Sequence, residues 1–414
     1  MNHKAYRFQI EPTPEQEILL NKTFGSARFV WNKLVENFNS WTPDIKPEIV
    51  TSKTLKDDPE YDFLNEVSAA AIQSKQLHFE EFKKQFFNKK RKVKLGRPRF
   101  KSKRNKQSYS LSYQKFKYNS ETSSIRLEKI GFVKVISTCL IPEDVDYRSV
   151  TVSKTPTGKF YVSILVKEEI KRKPLTGNKI GIDLGLKDLF ILSDSQVVEN
   201  PKFFRENQSK LKKAQQHLSR KVKGSKRREK QRIKVAKIHE DIKNCRDNFL
   251  HEMSSAIVRD YDVICIEDLN VSGMVKNHKL AKSISDASWS SFTRMLEYKC
   301  DWYGKTLIRI DRFYPSSKTC GCCDYKLDSL ELDVREWTCP SCGTIHDRDL
   351  NAAKNILRKG YSDLSGVQVE FDAFPNASSV ESIEYSRGEA VRLFDARHHL
   401  ASSVKRLENQ LNSL

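Results

Sequence analysis

The sequence lacks any apolar run approaching the roughly 18 residues of a membrane-spanning helix, which argues against an integral membrane protein. Its first ten residues also lack the apolar stretch of a secretory signal peptide, so we expect a soluble intracellular protein. Apolar residues make up only 38% of the 414 residues, below the roughly 45–50% of an average chain, whereas charged residues reach 31%. A chain of this composition must turn part of its surface toward a charged partner.

Acidic residues are in short supply. There are 53 Asp and Glu against 74 Lys and Arg, giving a formal net charge of +21. The excess of positive charge is concentrated in two segments. Residues 83–106 hold 13 Lys or Arg and no acidic residue, and residues 202–237 hold 15 Lys or Arg and two acidic residues. Such segments can neutralise several phosphates at once, so nucleic acid is the expected partner. For residues 83–106, a disordered tether and a nuclear localisation string are the alternatives.

Cysteine is too unevenly distributed for a disulfide framework. There are nine, an odd number, and five of them crowd into one short stretch. Cys320, Cys323, Cys339 and Cys342 form two C-x₂-C pairs separated by 15 residues, which is the spacing of a zinc ribbon. Four thiolates leave no open coordination position, so this zinc is predicted to be structural. Cys322 lies inside the first pair as an extra thiol.

The N-terminal half alternates between helical and strand patterns. Residues 13–16 combine a threonine N-cap, a proline at the first helical position and a capping-box glutamine, which predicts the start of a helix. Residues 64–90 predict a second amphipathic helix, whose phenylalanines we interpret as core and not as a base-stacking platform. From residue 108 to 169 the alternation predicts an antiparallel sheet or small barrel, with a hairpin around Thr155–Gly158.

The C-terminal half indicates an α/β layer. Residues 179–193 predict two strands that turn near Lys187, residues 202–260 a long basic helix, and residues 263–266 a further strand. Strand, helix and strand in this order are typical of a sheet covered by helices. After Gly360 the composition shifts again, and we expect the remainder to be a mobile or loosely docked tail.

Three carboxylates are the catalytic candidates. Asp183 lies within an apolar strand, Glu267 ends another strand, and Asp349 opens a helix. Taken singly, such acids are commonly helix caps or solvated strand ends, although a charge among apolar neighbours, as at Asp183, needs a cation or partner. If the three converge, their oxygens suit Mg²⁺ or Mn²⁺, and two ions roughly 3.5–4 Å apart would activate a water against a phosphodiester. The pattern therefore predicts a hydrolytic nuclease.

Several strings make the sequence resemble the TnpB family, which comprises transposon-encoded RNA-guided DNA nucleases related to type V CRISPR effectors. The principal ones are GIDLG at 181–185, IEDL at 266–269, the zinc ribbon, and HDRDLNAAKNI at 346–356. Segments 25–30, 96–100, 283–287 and 314–317 are also similar to family segments. The resemblance covers nearly the whole chain and leaves out residues 360–414.

The resemblance implies a multidomain α/β plus β fold. A helical recognition part is inserted in a β-barrel-like wedge part, and an RNase H-like (RuvC) α/β nuclease domain with an inserted zinc ribbon follows. The implied divisions are residues 1–10 and 108–172 for the wedge, 11–107 for recognition, 173–314 and 343–360 for the nuclease, 315–342 for the ribbon and 361–414 for the tail.

The resemblance also implies site residues and cofactors. Asp183, Glu267 and Asp349 match the triad that binds Mg²⁺ or Mn²⁺, and Asp349 is preferred to Asp347 because it stands two residues before Asn351. The four cysteines named above match the structural zinc site. The nucleic-acid contacts that we expect are Gln73, Arg97, Arg99, Phe100, Lys101, Lys103 and Arg104.

The implied function is RNA-guided cleavage of double-stranded DNA beside a short adjacent motif. The partners would be a guide RNA from the transposon end and the target DNA, in a prokaryotic cytoplasm and at the nucleoid, with no membrane and no obligate protein partner. Gln73 falls where the family places a residue that contacts a nucleobase. Ala69, however, stands where relatives can carry a basic residue, so the sequence of the adjacent motif stays open. The alternatives are a guided DNA-binding repressor without cleavage and an unguided RNase H-type resolvase or transposase.

Overall fold

The computed structural model describes residues 2–40, 49–91, 94–136, 139–331 and 333–365. Contacts between Cα atoms divide the chain into two compact units. The first comprises Met1–Ile170 and Ser209–Asp241, and the second comprises Lys171–Gln208 and Ile242–Leu414. None of the helices in the described ranges is long and apolar enough to cross a membrane.

A seven-stranded antiparallel sheet organises the first unit, in the order β2-β6-β7-β1-β5-β4-β3. In β7 every second side chain is buried, beginning with Phe160, so one face of the sheet carries the core. The hairpin predicted around Thr155–Gly158 is confirmed by the pairing of Val152 with Val162. The strands are β1 (Asn2–Glu11), β2 (Gln107–Ser112), β3 (Phe116–Asn119), β4 (Ser124–Leu127), β5 (Gly131–Ile136), β6 (Asp146–Lys154) and β7 (Phe160–Glu168).

The helices of the first unit begin at identifiable caps. Helix α1 (Pro14–Asn39) starts at Thr13, whose hydroxyl accepts from the Gln16 backbone N–H while the Gln16 side chain accepts from the Thr13 N–H, and the predicted capping box is confirmed. Helix α2 (Ser52–Asp57) and a 3₁₀ helix, Pro59–Glu66, follow.

The helix predicted over residues 64–90 is shorter than expected. Helix α3 spans Ala69–Phe86, because Ser68 caps it by accepting from the Ala71 N–H. Its aromatic stripe is mainly core, as predicted, since Phe79 is buried and packs edge to face on Trp31 and Phe38.

The second unit contains a five-stranded mixed sheet in the order β10-β9-β8-β11-β12. Three of its strands, β8, β11 and β12, are parallel to one another, as the predicted α/β layer requires. Strand β8 turns back into the antiparallel strand β9 near Lys187, also as predicted. A separate hairpin, β13 and β14, belongs to the cysteine-rich segment. The strands are β8 (Lys179–Leu184), β9 (Asp188–Leu192), β10 (Val197–Glu199), β11 (Val263–Glu267), β12 (Thr306–Ile310), β13 (Glu336–Thr338) and β14 (Ile345–Asp347).

The long basic helix predicted over residues 202–260 is two helices. The turn between them contains Gly224 with a φ of +86°, a left-handed conformation that glycine adopts without steric cost, and the helical charge pattern did not reveal the break. The remaining helices are α4 (Phe203–Ser219), α5 (Lys226–Asp260), α6 (Val271–Met274), α7 (Ala281–Ala287), α8 (Trp289–Tyr303) and α9 (Arg348–Ser365).

Helix α9 lies directly on the parallel strands. A Cβ added to Gly181 of β8 would stand 2.1 Å from the Ala353 carbonyl oxygen, and one added to Gly360 would stand 2.5 Å from the Cys265 sulfur of β11. Only glycine permits this approach. The helix runs to Ser365 and so includes the first five residues of the predicted tail, whose other residues, 366–414, lie outside the described residues.

We expect Gly181→Ala to destabilise the second unit, because the new methyl group meets helix backbone that cannot move aside. Overpacking of this kind costs about 1–3 kcal/mol in free energy of unfolding. Thermal denaturation of the full chain measures it. The control is Gly25→Ala in α1, where nothing lies within 4 Å of the added Cβ and the change should be neutral or stabilising by up to about 1 kcal/mol. Equal effects of the two substitutions would contradict the proposed close packing.

Candidate metal centres

Asp183 and Glu267 lie at the carboxyl ends of two neighbouring parallel strands, β8 and β11. The register pairs Ile182 of β8 with Ile266 of β11, so the next residue of each strand is the acid, and the two stand side by side. Gly181 and Cys265 face α9, and residues two apart share one face of a sheet. Both carboxylates therefore lie on the face that α9 covers.

Asp349 reaches the same edge from the helix. Ala353 lies over Gly181, and Asp349 is one helical turn before Ala353, while Asp183 is two residues beyond Gly181 along the strand. One turn is about 5.4 Å and two strand residues are about 6.6 Å, so the two displacements nearly match. The first turn of α9 therefore places Asp349 beside Asp183.

The electrostatics of Asp183 reflect this arrangement. Burial, followed by the charges of Glu267 and Asp349, raises the pKa of Asp183 to about 8, against a smaller opposing effect of Arg348 and Arg335. Burial also raises the pKa of Glu267, although the Ser316 hydroxyl donates to its Oε1 at 2.6 Å and partly offsets the shift. The site concentrates negative charge that a bound cation would relieve.

The two aspartates near the start of α9 have different partners. Asp347 Oδ1 accepts from the Leu350 backbone N–H at 2.8 Å and caps the helix. Asp349 Oδ2 instead accepts from Arg335 Nη1 at 2.7 Å, and its side chain is about a quarter exposed. Asp347 thus accepts from the backbone, whereas Asp349 pairs with an arginine side chain that is half exposed.

Sequence reasoning missed Arg335. It lies just before β13, 14 residues from Asp349, and nothing in its local pattern distinguishes it from other surface arginines. The pairing arises because β13 and β14 form a hairpin in which Glu336 lies opposite Asp347, and this brings the preceding residue to the beginning of α9.

Two buried asparagines of α9 tie the helix to the loop that begins the cysteine-rich segment. Asn355 Nδ2 donates to the carbonyls of Ser316 and Thr319 at 2.8 and 2.7 Å, and Asn351 Nδ2 donates to that of Thr319 at 2.8 Å. Asn351 Oδ1 accepts from the Gly321 N–H at 2.9 Å. Since Ser316 also donates to Glu267, one loop connects Glu267, the helix that carries Asp349, and the first cysteine pair.

The four predicted cysteines form one compact cluster. The Sγ atoms of Cys320, Cys323, Cys339 and Cys342 all lie within 4.8 Å of one another, and the pairs Cys320–Cys342 and Cys323–Cys339 are separated by 3.6 Å. A tetrahedral zinc with Zn–S bonds of about 2.3 Å needs sulfurs about 3.8 Å apart, so the donor set fits this ion. Cys322 is outside the cluster, and its backbone N–H donates to Cys320 Sγ.

This is the one cluster of three or more metal-ligating side chains, within the ranges described above, that is tight enough to surround a single ion. Asp183, Glu267 and Asp349 face one another more openly. A wider spacing of carboxylates is compatible with two ions and with water completing their coordination.

The predicted nucleic-acid contacts lie on exposed surface, with one exception. Gln73 is exposed on α3, and Arg97, Arg99, Phe100, Lys103 and Arg104 are exposed in the segment that precedes β2. Lys101 is half-buried, with its Nζ 3.5 Å from the centre of the Trp31 ring.

Hydrogen bonds to α1 hold residues 99–101 of the segment that precedes β2. Trp31 Nε1 donates to the Arg99 carbonyl at 3.1 Å, and Asn32 exchanges two hydrogen bonds with the Lys101 backbone. These contacts fix the segment against α1.

Family models match three parts of the chain. The model described as a probable transposase, OrfB_IS605, matches residues 162–278 and so includes Asp183 and Glu267. The model described as the Cas12f1-like TNB domain matches residues 289–356 and includes the four cysteines and Asp349. A helix-turn-helix model matches residues 1–42, where the described residues form β1 followed by the single helix α1.

Relatives extend the likeness over most of the chain. A Streptomyces pristinaespiralis protein with the curated name "Putative RNA-guided DNA endonuclease" is 40% identical over 364 residues, covering 86% of this chain and 89% of that protein. This chain belongs to the TnpB family. Its Escherichia coli relative InsQ, with the same descriptive name, is 30% identical and covers 87% and 93% of the two chains.

A solved structure agrees with the TnpB assignment at the level of fold. A chain in the cryo-EM structure of the Cas12f1–sgRNA–target DNA complex aligns with a TM-score of 0.52 and 12% sequence identity, covering 86% of this chain and 98% of that chain. At this identity the likeness concerns the fold alone. Together with the antiparallel sheet and the four-cysteine cluster, it indicates a TnpB-like multidomain architecture related to Cas12f.

Proposed function

We propose that this chain is an RNA-guided endonuclease that cleaves double-stranded target DNA beside a short adjacent motif, by two-metal hydrolysis of phosphodiesters. The observation that carries the proposal is the approach of Asp183, Glu267 and Asp349 at one edge of the parallel sheet, close enough for the other two charges to raise the pKa of Asp183. Membership of the TnpB family and the names of the relatives support the guided, DNA-cleaving part of the proposal.

The three carboxylates are the proposed ligands of Mg²⁺ or Mn²⁺. They offer only hard oxygen donors, and their mutual repulsion favours a divalent cation. Two such ions would supply a hydroxide nucleophile and stabilise the leaving oxygen of the cleaved phosphodiester. Ser316 orients Glu267 through its hydroxyl, and Arg335 holds Asp349 until a cation competes for that carboxylate. Asp183 is the carboxylate whose pKa the charges of both others raise.

The proposed zinc ribbon has a structural role. Its four sulfurs would enclose Zn²⁺ with no position left for water, so zinc supplies folding free energy to a segment that has little apolar core of its own. The ligands would be Cys320, Cys323, Cys339 and Cys342.

For the architecture, we propose the division that the resemblance implies. The antiparallel sheet, with β2 and β3 at its two ends, would be the barrel-like wedge, the helices α1 to α3 the recognition part, and the mixed sheet with α9 the RuvC-like nuclease domain. Residues 209–241 depart from this plan, since they pack within the first unit.

The proposed partners are a guide RNA from the transposon end and the target DNA. Base pairing with the guide would read the target, while the protein would contact backbone and read the short flanking motif. Gln73 is exposed on α3 and is the proposed base contact, and Arg97, Arg99, Phe100, Lys103 and Arg104 offer a basic surface with one aromatic side chain. A prokaryotic cytoplasm, at the nucleoid, is the proposed location.

One experiment tests the proposal directly. The chain is expressed with its native downstream DNA, the RNA that copurifies is sequenced, and a plasmid library with randomised sequence beside a matching target is exposed to the complex with Mg²⁺. We expect cleavage of library members that share one short flanking motif, and none when the guide does not match. An RNA-free preparation that cuts equally well would favour an unguided resolvase or transposase, and guided binding without cuts would favour a repressor.

A further inference from the structure

A cluster of four basic side chains in the first unit is not paired with any acid. Lys75 and His78 lie on one face of α3, three residues apart, and Lys101 and Lys106 come from the segment before β2. Among the residues that the structure describes, none of the four forms an ion pair with a carboxylate. Lysine ammonium groups that are left together in this way, with one of them buried, favour the binding of an anion.

Three elements hold these side chains together. The Trp31 ring packs on Phe79 of α3 at 5.4 Å between centroids and carries the Lys101 ammonium on its own face. On the other side, the Ser110 N–H of β2 donates to Ser74 Oγ at 3.4 Å, which places the beginning of β2, and thus Lys106, against α3 beside Lys75. Packing therefore fixes Lys75 and Lys101, and His78 and Lys106 lie at the exposed rim of the cluster.

Lys75 is the unusual member. Its residue is only 7% exposed, yet it has no hydrogen-bond acceptor among the described residues. Burial, followed by the charges of Lys101 and Lys106, lowers the pKa of Lys75 to about 8, and burial together with Lys75 and Lys101 lowers the pKa of His78. Lys299, another buried lysine in a helix of the described ranges, has the hydrogen bonds that a buried ammonium normally makes. It donates to the His251 carbonyl and to the Ser254 and Ser255 hydroxyls.

We propose that Lys75, His78, Lys101 and Lys106 form a binding pocket for one phosphodiester group of a nucleic-acid backbone. A phosphodiester brings one negative charge and two acceptor oxygens, enough for the Lys75 ammonium and one neighbouring donor. The net charge of +21 and the many Lys and Arg residues in the segment before β2 favour a nucleic acid over a small anion as the ligand. The pocket rests on the proposed function only in taking nucleic acid as the ligand, and RNA and DNA share this chemistry.

The test compares Lys75→Met with Lys53→Met in the full chain, freed of copurified RNA by high salt. Lys53 is exposed on α2, so its substitution removes the same charge from outside the cluster. The probes are the copurifying RNA and a double-stranded DNA of random sequence, titrated over a salt series. We expect Lys75→Met to weaken binding several-fold and to lower the salt slope by about 0.7–0.9, the share of one phosphate contact.

A second readout separates binding from folding. Since Lys75 is repelled by its neighbours in the free protein, Lys75→Met should leave the melting temperature of the free protein unchanged or raise it. Lys106→Met, on exposed surface, should weaken binding in the same sense without any effect on folding. Loss with the RNA probe, or with the DNA probe, assigns the phosphodiester to that nucleic acid.

Unchanged affinity and salt slope for Lys75→Met and Lys106→Met with both probes would overturn the pocket, as would an equal loss with Lys53→Met. The outcome is independent of the library experiment. If Lys75→Met binds more weakly but the chain cuts no library member, the pocket stands and the proposed function is wrong. If the chain cuts under guidance but Lys75→Met binds as the parent does, the proposed function stands and the pocket is wrong.

Discussion

Asp183→Asn is expected to abolish guided DNA cleavage while guide RNA binding survives. The amide keeps the shape of the side chain but removes the negative charge between Glu267 and Asp349, so divalent ions lose a ligand in the most buried position of the site. We expect the rate to fall by at least about 10²–10³, the range seen when a group that stabilises developing charge is lost. Cleavage of a matched target under single-turnover conditions measures it.

The same variant has an opposite effect on the stability of the metal-free protein. The folded-state pKa of Asp183, about 8, lies above the ordinary aspartate value of 3.8, so the folded protein binds more protons than the unfolded chain between these values. The contribution of Asp183 to stability is therefore fully present below pH 4 and is lost as the pH rises toward 8. Asp183→Asn should remove this decline, and the melting temperature of the variant without Mg²⁺ should exceed that of the parent near pH 8.

Asp347→Asn is the matched control for both effects. Asp347 lies two residues before Asp349 and caps α9, and asparagine caps a helix about as well as aspartate does. This variant should keep cleavage and show the parental pH dependence of melting. Equal loss of cleavage in the two variants, or full activity of Asp183→Asn, would contradict the assignment of Asp183 to the metal site.

Local signals in the sequence were sufficient for several elements. The threonine, proline and glutamine at 13–16 predicted α1 because capping depends on neighbouring residues, and the apolar alternation at 150–166 predicted the β6–β7 hairpin for the same reason. The break at Gly224 was missed because a basic helical pattern continues on both sides of it.

Contacts between distant residues could not be predicted in this way. Asp183, Glu267 and Asp349 were named from separate strings, but their approach depends on strand register and on a helix that packs over Gly181. The Asn355–Ser316 and Arg335–Asp349 hydrogen bonds join residues whose own surroundings carry no signal. Lys75 reads as an ordinary helix lysine until the segment before β2 is packed against α3.

Cys323→Ser is the second substitution from which we expect a large effect, namely loss of both zinc and cleavage. The loop that starts the ribbon also carries Ser316, which orients Glu267, and its carbonyls are fixed to α9 by Asn351 and Asn355. Losing one of four thiolates opens the ribbon. The loop then no longer holds Glu267 of β11 and Asp349 of α9 in position. Zinc content by atomic absorption and cleavage of a matched target should fall together.

The neighbouring Cys322→Ser provides the control, because Cys322 Sγ is outside the four-sulfur cluster and the Cys322 backbone N–H, which donates to Cys320 Sγ, is kept in the variant. It should keep zinc and cleavage. If Cys323→Ser loses zinc and still cuts at the parental rate, the ribbon does not position the carboxylates.

Asn355→Leu tests the same coupling from the helix side without touching a zinc ligand. Leucine has a similar volume but removes the donor to the Ser316 carbonyl, at a cost of about 1–3 kcal/mol, whereas the Thr319 carbonyl keeps its hydrogen bond from Asn351. We expect zinc content to remain, while the Mg²⁺ concentration for half-maximal cleavage rises because Ser316 no longer fixes Glu267 beside Asp183. Ser316→Ala, which removes only the hydroxyl bond to Glu267, should show a smaller rise in the same direction. An unchanged Mg²⁺ requirement in both variants would leave Asn355 as a folding residue alone and would separate the zinc ribbon from the chemistry.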